Sequence, residues 1–441
     1  MKIGIDGSRA FLLQRTGVEE YSYQVIAHLA DKLRNHQVVL YLKDGQSVDF
    51  ILPKNWKIKV ISWPRLWTQV GLSLEMFFRP VDMLFVPAHT IPIIHPARNA
   101  SLFSIALFVQ KVLKFLGVET DYNTHSEAGG PKNTIVTIHG LEYEILSEAY
   151  SFWERFYMRL SIKDSCRWAS HIIAVSENTK KDLVKLYNVP EEKIKVIYEG
   201  ISGCHSRENG NPVSNHKVSA LDPPPTGEAG RLRGNDKFLL FVGRLEERKN
   251  IIGIIRAFEI LKERYKIGHK LVLAGKFGYG GEKIKNELRN INCSGDVILP
   301  GFVSEEEKQS LMKNADIFLF PTFYEGFGLP ILEAQSLGVP VVASNNSSIP
   351  EITNVFCHSR ENGNLVSNNK ISTLDSRLRG NDSSYSAVLV DPYDTKQIAD
   401  AAYKLISDEG FRNGIIEKGY ANAKRFSWNS CAEKIVEILT K

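Results

Sequence analysis

Short apolar runs alternate with amphipathic stretches along this chain, and the alternation begins afresh halfway. KIGID, QVVLYL, IKVIS, DMLFVP, TIVTIH and HIIAVS are the runs of the first half. FLLFVGRL, KLVLAG, DVILPG, IFLFPT and PVVAS are those of the second. These read as strands. VEEYSYQVIAHLADKL carries Val18, Tyr21, Val25 and Leu29 on one stripe, and it reads as a helix, as does IIGIIRAFEILKERY. Strands that alternate with helices form parallel sheets covered on both faces. The expected fold class is therefore α/β, with two doubly wound Rossmann-like domains. Ligands of such sheets bind beyond the carboxyl ends of the strands. Two domains facing each other would enclose a cleft.

A chain of 441 residues is too long for one ordinary core, which agrees with two domains. The boundaries expected are 1–200 and 201–426, with the join near KVIYEGIS. The terminal stretch 427–441 is a helix, with Trp428, Ala432, Ile435 and Leu439 at core spacing, and it is a candidate to pack back on the first domain. Trp428 reads as a packing anchor.

Two segments interrupt this pattern. CHSRENGNPVSNHK begins at Cys204 and CHSRENGNLVSNNK at Cys357. The copies match at both ends, over 204–236 and 357–382, while their flanks do not match. Structural repeats bury an apolar face against neighbours, and these segments have almost none. They resemble a mobile genetic repeat translated in frame, and the expectation is that they are dispensable insertions. The Cys-His pair in each copy is a weak zinc candidate, because adjacent ligands lack the usual C-x-x-C geometry.

Composition narrows the function classes. Net charge is +5, a mild excess that suits an anionic small molecule or a membrane surface and is too diffuse to argue for nucleic acid. Five cysteines without a C-x-x-C pair suggest no disulfide framework, and a reducing cytoplasm is the expected location. MKIGID opens as a strand rather than a signal peptide, and no run of eighteen apolar residues is present.

Chemistry concentrates in two stretches. In FYEGFGLPILEAQSLGVPVVAS, Glu325 and Glu333 are separated by seven residues, with Gly326, Phe327, Gly328 and Pro330 between them. Pro330 suits a first helical turn, so Glu325 precedes a helix and Glu333 lies in its early turns. The glycines let backbone approach a ligand, and the helix start offers N–H groups to an anion. A carboxylate there can accept two sugar hydroxyls. In FVGRLEERKNI, Arg244 and Lys249 follow a strand and suit a diphosphate. GKFGYGGE reads as a loop. The chain has no D-x-D triplet, so no metal is expected at the diphosphate.

These stretches, with RTGVEEYS, TIHGLEYE, AVSENTKKDL and VVASNNSSIPE, resemble family 4 of the retaining glycosyltransferases, whose two-domain fold is called GT-B. The resemblance spans nearly the whole chain apart from the repeats and residues 98–131. It implies that Arg244 and Lys249 neutralise the donor diphosphate and that Glu333 holds the ribose. Glu325 would hold the transferred sugar, beside the backbone of Gly326, Phe327 and Gly328. His139 would lie near the reacting sugar, and Gly17 would bring its loop to the phosphates or the acceptor. The residue-level alternative for His139 is a strand-end histidine satisfied by backbone. The resemblance also implies an acceptor-side first domain and a donor-binding second domain. The donor would be a nucleotide sugar, GDP-mannose favoured, with no other cofactor. The acceptor would be a surface glycan or a lipid-linked precursor.

Residues 98–131 include FSIALFVQKVLKFL, which reads either as a core helix or as a helix on the inner membrane surface. Two other functions fit the same fold: a nucleotide-sugar epimerase, and a degenerate glycosyltransferase that binds without turnover.

Overall fold

In the computed structural model the described residues are 1–12, 14–63, 66–92, 133–201, 236–355 and 384–440. The amphipathic stretch 98–131 and both repeat segments, apart from Asp236, lie outside them. The chain divides into two compact units. One comprises Met1–Glu144, Ser151–Gly200 and Ser427–Lys441; the other comprises Ile145–Tyr150 and Ile201–Phe426.

The first unit is built on a parallel sheet in the order β3-β2-β1-β4-β5-β6-β7. Its strands are β1 (Lys2–Asp6), β2 (Gln37–Lys43), β3 (Trp56–Ile61), β4 (Met83–Val86), β5 (Asn133–Ile138), β6 (His171–Ala174) and β7 (Ile194–Val196). The helix Gly17–Lys32 buries Tyr21, Val25 and Leu29 of the expected stripe, while Val18 is only half-buried. The terminal helix Trp428–Leu439 packs on it: Lys32 pairs with Glu433 at 2.9 Å, and the Tyr21 and Trp428 rings meet edge-on at 5.8 Å. Trp428 is buried. A Cβ on Gly200 would fall 2.1 Å from the Trp428 backbone nitrogen, so only glycine fits where the chain leaves this unit.

The second unit has a parallel sheet in the order β10-β9-β8-β11-β12-β13. Its strands are β8 (Phe238–Val242), β9 (Lys270–Ala274), β10 (Val297–Gly301), β11 (Ile317–Phe320), β12 (Val341–Ser344) and β13 (Val388–Val390). All five residues of β8 and all four of β11 and of β12 are buried, as strands covered on both faces require. Strand order reverses between β8 and β11. Connections there run to opposite sides and open a crevice at the carboxyl edge. The two stretches singled out from sequence leave the sheet at this point.

The flanks of the second insertion are themselves paired. The Val355 N–H donates to the Ser384 carbonyl at 2.8 Å, and the Ser386 N–H donates to Thr353 at 2.9 Å. Asn354 and Tyr385 form an antiparallel bridge between them.

Candidate active site

The loop after β8 is shaped by the loop after β9. Leu245 N–H donates to the Lys276 carbonyl at 2.9 Å, Gly278 N–H returns to Leu245 at 2.9 Å, and Glu247 N–H donates to Tyr279 at 3.1 Å. This pairing explains the glycines of GKFGYGGE. At Gly275, with φ +151°, a Cβ would lie 1.8 Å from the Gly243 carbonyl oxygen. At Gly278 a Cβ would strike the Arg244 side chain at 2.7 Å. Arg244 is thereby laid over backbone. It is exposed, with no hydrogen bond or ion pair among the described residues.

Lys249 is the opposite case. Its ammonium is buried, bonded to the Glu325 carboxylate, and 5.2 Å from the centre of the Phe320 ring. Burial, with Arg248 beside it, pulls Lys249 below its ordinary value, and Glu325 works against that pull. Asn250 fixes the loop's exit. At φ +56° it caps the helix Ile251–Glu263, with its side chain accepting from Gly253 N–H at 3.2 Å. Its amide donates to the carbonyls of Pro321 at 2.9 Å and Pro392 at 2.6 Å, which ties three strand-end loops together.

Glu325 leaves β11 only 8 % exposed. Lys249 and Arg248, the latter at 3.6 Å, converge on its Oε1, and Oε2 has no hydrogen bond or ion pair among the described residues. The loop after β12 holds the backbone on either side. Glu325 N–H donates to Ser347 Oγ at 3.1 Å, and Ser348 Oγ reaches the carbonyls of Glu325 at 3.0 Å and Phe327 at 2.7 Å. Phe327 turns its ring inward against Phe426 at 5.8 Å, leaving its backbone as the part a ligand can meet. Gly328, at φ +115°, precedes the helix Leu329–Ser336, and Pro330 falls in that helix's first turn. The helix start therefore presents N–H groups beside Glu325 and Gly326.

Glu333 lies on the same helix and accepts from Lys308 Nζ at 2.9 Å. Burial works to lower Lys308, but Glu333 and Glu305 outweigh it and hold the ammonium above its ordinary value. Both carboxylates of the pair thus have a cationic partner before any ligand arrives.

In the first unit His139 follows β5 with both ring nitrogens engaged. Nδ1 lies 3.2 Å from Glu199 Oε1, and Nε2 lies 2.9 Å from the Pro87 carbonyl oxygen, both within hydrogen-bond distance. Tyr21 meets the ring edge-on at 4.5 Å, and His139 N–H donates to His89 Nδ1 at 3.4 Å. Burial, with His139 and Arg9 nearby, pulls His89 down to about 3. The strand-end alternative, a histidine satisfied by backbone, is thus met at Nε2. Gly17 is the first residue of its helix. It is exposed, with nothing within 4 Å of where a Cβ would lie, so no packing demand explains a glycine there.

The structure thus brings Lys249, Glu325, Gly326, Phe327 and Gly328 together, with Arg244 and Glu333 on adjoining segments of the same unit. His139 and Gly17 belong to the other unit. Sequence reasoning missed Arg248, Lys308, Ser347, Ser348 and Glu199. Arg248 stands beside Lys249, and Glu199 stands within KVIYEGIS, but neither position has a period that would single it out.

Two Rossmann-like parallel sheets of this order define the GT-B architecture of glycosyltransferases. HepE of Anabaena, solved with UDP-glucose, superposes with a TM-score of 0.62 at 17% identity, covering 100% of this chain and 99% of that one. Sucrose-phosphate synthase of Thermosynechococcus elongatus gives 0.63 at 15% identity, covering 99% and 98%. Residues 15–202 match the description Glycosyltransferase Family 4, and residues 227–380 match Glycosyl transferases group 1. The chain is 26% identical to the O-antigen chain mannosyltransferase B of Escherichia coli over 69% of each chain. It is 25% identical to the capsular polysaccharide glycosyltransferase CapM of Staphylococcus aureus over 86% of this chain and 87% of that one. The protein is an enzyme, a member of glycosyltransferase family 4 with mannosyltransferase relatives in surface polysaccharide synthesis.

Proposed function

We propose that this enzyme transfers a hexose, mannose favoured, from a nucleotide-diphosphate sugar to a glycan or lipid-linked acceptor, with retention at the anomeric carbon. The observation that carries the proposal is Glu325. Two cations sit on its Oε1, Oε2 is open to accept sugar hydroxyls, and a helix start lies beside it. The bond from the sugar C1 to the diphosphate oxygen breaks, and negative charge grows on the departing nucleoside diphosphate. Arg244 and Lys249 supply cations to that oxygen, Lys249 turning to it from Glu325. The acceptor hydroxyl bonds to C1 from the face the nucleotide leaves, and its proton passes to the leaving phosphate oxygen. That front-face course is carried by the family resemblance. Glu333, braced by Lys308, holds the ribose. His139 serves as a preset wall rather than a general base, because both its nitrogens are taken. Gly17 lets the acceptor or phosphates approach the first helix.

GDP-mannose is favoured because several relatives are named mannosyltransferases. Purified protein incubated with a panel of nucleotide sugars tests this. Release of GDP from GDP-mannose, undiminished by a metal chelator, is the expected result. An isomerised donor would mark an epimerase, and binding of every donor without turnover would mark a degenerate protein.

We place this activity in the cytoplasm, at the inner face of the membrane. No helix among the described residues is long and apolar enough to cross a membrane. The helix Phe152–Trp168 carries Phe152, Phe156, Leu160, Lys163 and Arg167 at spacings of three and four, all exposed along one stripe. Its first two phenylalanines are 70% and 48% exposed, and Trp153 beside them is 74% exposed. Exposed aromatics followed by cations match an anionic lipid surface. The protein should sediment with vesicles containing anionic lipid. The Phe152→Ser/Trp153→Ser variant should lose at least half of that binding, and equal sedimentation of the two would exclude this surface.

A further inference from the structure

Lys249 and Arg248 are adjacent in sequence and share one carboxylate oxygen, yet they are anchored very differently. Lys249 touches Glu325 and the face of Phe320. Arg248 forks its Nε and Nη2 onto Glu246 Oε1 at 3.2 and 2.9 Å. Its Nη1 lies 3.4 Å from the Tyr324 carbonyl and 3.6 Å from Glu325. Its own backbone carbonyl accepts from Phe323 N–H at 3.0 Å. Arg248 therefore stitches the loop after β8 to the loop after β11 from both its side chain and its backbone. A planar guanidinium held at several points has little freedom to follow a ligand, whereas an ammonium on a four-carbon stem can swing.

A donor diphosphate carries more negative charge than Glu325 and competes for Lys249. When Lys249 turns towards it, Glu325 loses its nearest counter-ion while remaining only 8 % exposed. A buried carboxylate stripped of its partner is costly, and it would turn from the sugar. We propose that Arg248 is a positioning residue that keeps Glu325 paired and aimed at the transferred sugar while Lys249 serves the diphosphate. Glu246 is then the counter-ion that keeps Arg248 from reaching the diphosphate itself. The inference rests on the proposed roles of Lys249 and Glu325.

The test uses the full chain with Arg248→Gln, Arg248→Lys and Glu246→Gln. Calorimetry with GDP and with GDP-mannose separates the diphosphate from the sugar, and kinetics separate kcat from KM. Arg248→Gln should bind GDP within about threefold of the parent, lose the additional affinity contributed by the sugar, and fall about 30-fold or more in kcat. Arg248→Lys should recover part of that loss by restoring charge without the fork. Glu246→Gln should lower kcat with GDP affinity kept, and this variant and Arg248→Lys decide the matter if Arg248→Gln does not fold. A purely structural Arg248 would lose GDP and GDP-mannose binding in parallel, which overturns the inference. So does an Arg248→Gln enzyme within twofold of the parent in kcat. A parent that binds no nucleotide sugar instead overturns the proposed function, and this inference falls with it.

Discussion

Arg244→Ala and Lys249→Ala should each lower turnover by about 10²–10³-fold, the scale for removing one preorganised group from a developing negative charge. The two losses should differ in kind. Arg244 is exposed and unpaired among the described residues, so its removal breaks no hydrogen bond or ion pair there. Its loss should fall on kcat with melting temperature unchanged. Lys249 is buried against Glu325, so its removal also leaves that carboxylate with Arg248 as its remaining cation. Some loss of stability should accompany the loss of rate. Kinetics and thermal melts on the two purified variants settle this. Activity within a few-fold of the parent would remove that residue from the diphosphate site.

Glu325→Gln and Glu333→Gln should separate sugar from nucleotide. Glu325→Gln keeps the shape of the side chain but removes the charge that Lys249 and Arg248 share, and a neutral amide accepts sugar hydroxyls less strongly. Turnover should fall by about 10²-fold or more while free GDP binds nearly as before. Glu333→Gln leaves the half-buried Lys308 with Glu305 as its remaining carboxylate. GDP affinity should fall by about tenfold to 100-fold, the range that ~1.5–3 kcal/mol of a hydrogen bond to a charged group gives. Calorimetry with GDP reads both variants. Equal losses of affinity in the two would mean that the carboxylates do not divide sugar from ribose.

The strands were legible because a buried strand is a short apolar run whichever sequence surrounds it. β8, β9, β11 and β12 stand where FLLFV, KLVLA, IFLF and VVAS are written. The first helix was legible from its stripe, although Val18, in its first turn, is only half-buried. Pro330 and the glycines placed Glu325 before a helix and Glu333 within it, because those residues constrain backbone whatever their neighbours. The partners of these carboxylates were not legible. Arg248 reaches Glu325 across 77 positions of sequence, and Lys308 reaches Glu333 from another helix. Such meetings depend on strand order and on side-chain direction in loops, for which a sequence has no period. The same holds for His139. A strand-end histidine can be expected from TIVTIH, but Glu199 comes to it from beyond β7, two strands away, and Pro87 from the end of β4.

The bridge between Asn354 and Tyr385 bears on how this gene could lengthen without losing its product. Residues 355 and 384 already stand one hydrogen bond apart, so whatever the chain does between them begins and ends at the same place. Neighbouring elements register the stem and not the length of the excursion, and closure entropy grows only with the logarithm of that length. A reading frame interrupted there is therefore filtered by a geometric rule rather than by composition. An insertion that leaves the two ends paired is neutral to the sheet of this unit, and a much shorter one that parts them is not. The position is correspondingly a natural port, where a tag or a reporter domain could be carried by the folded enzyme.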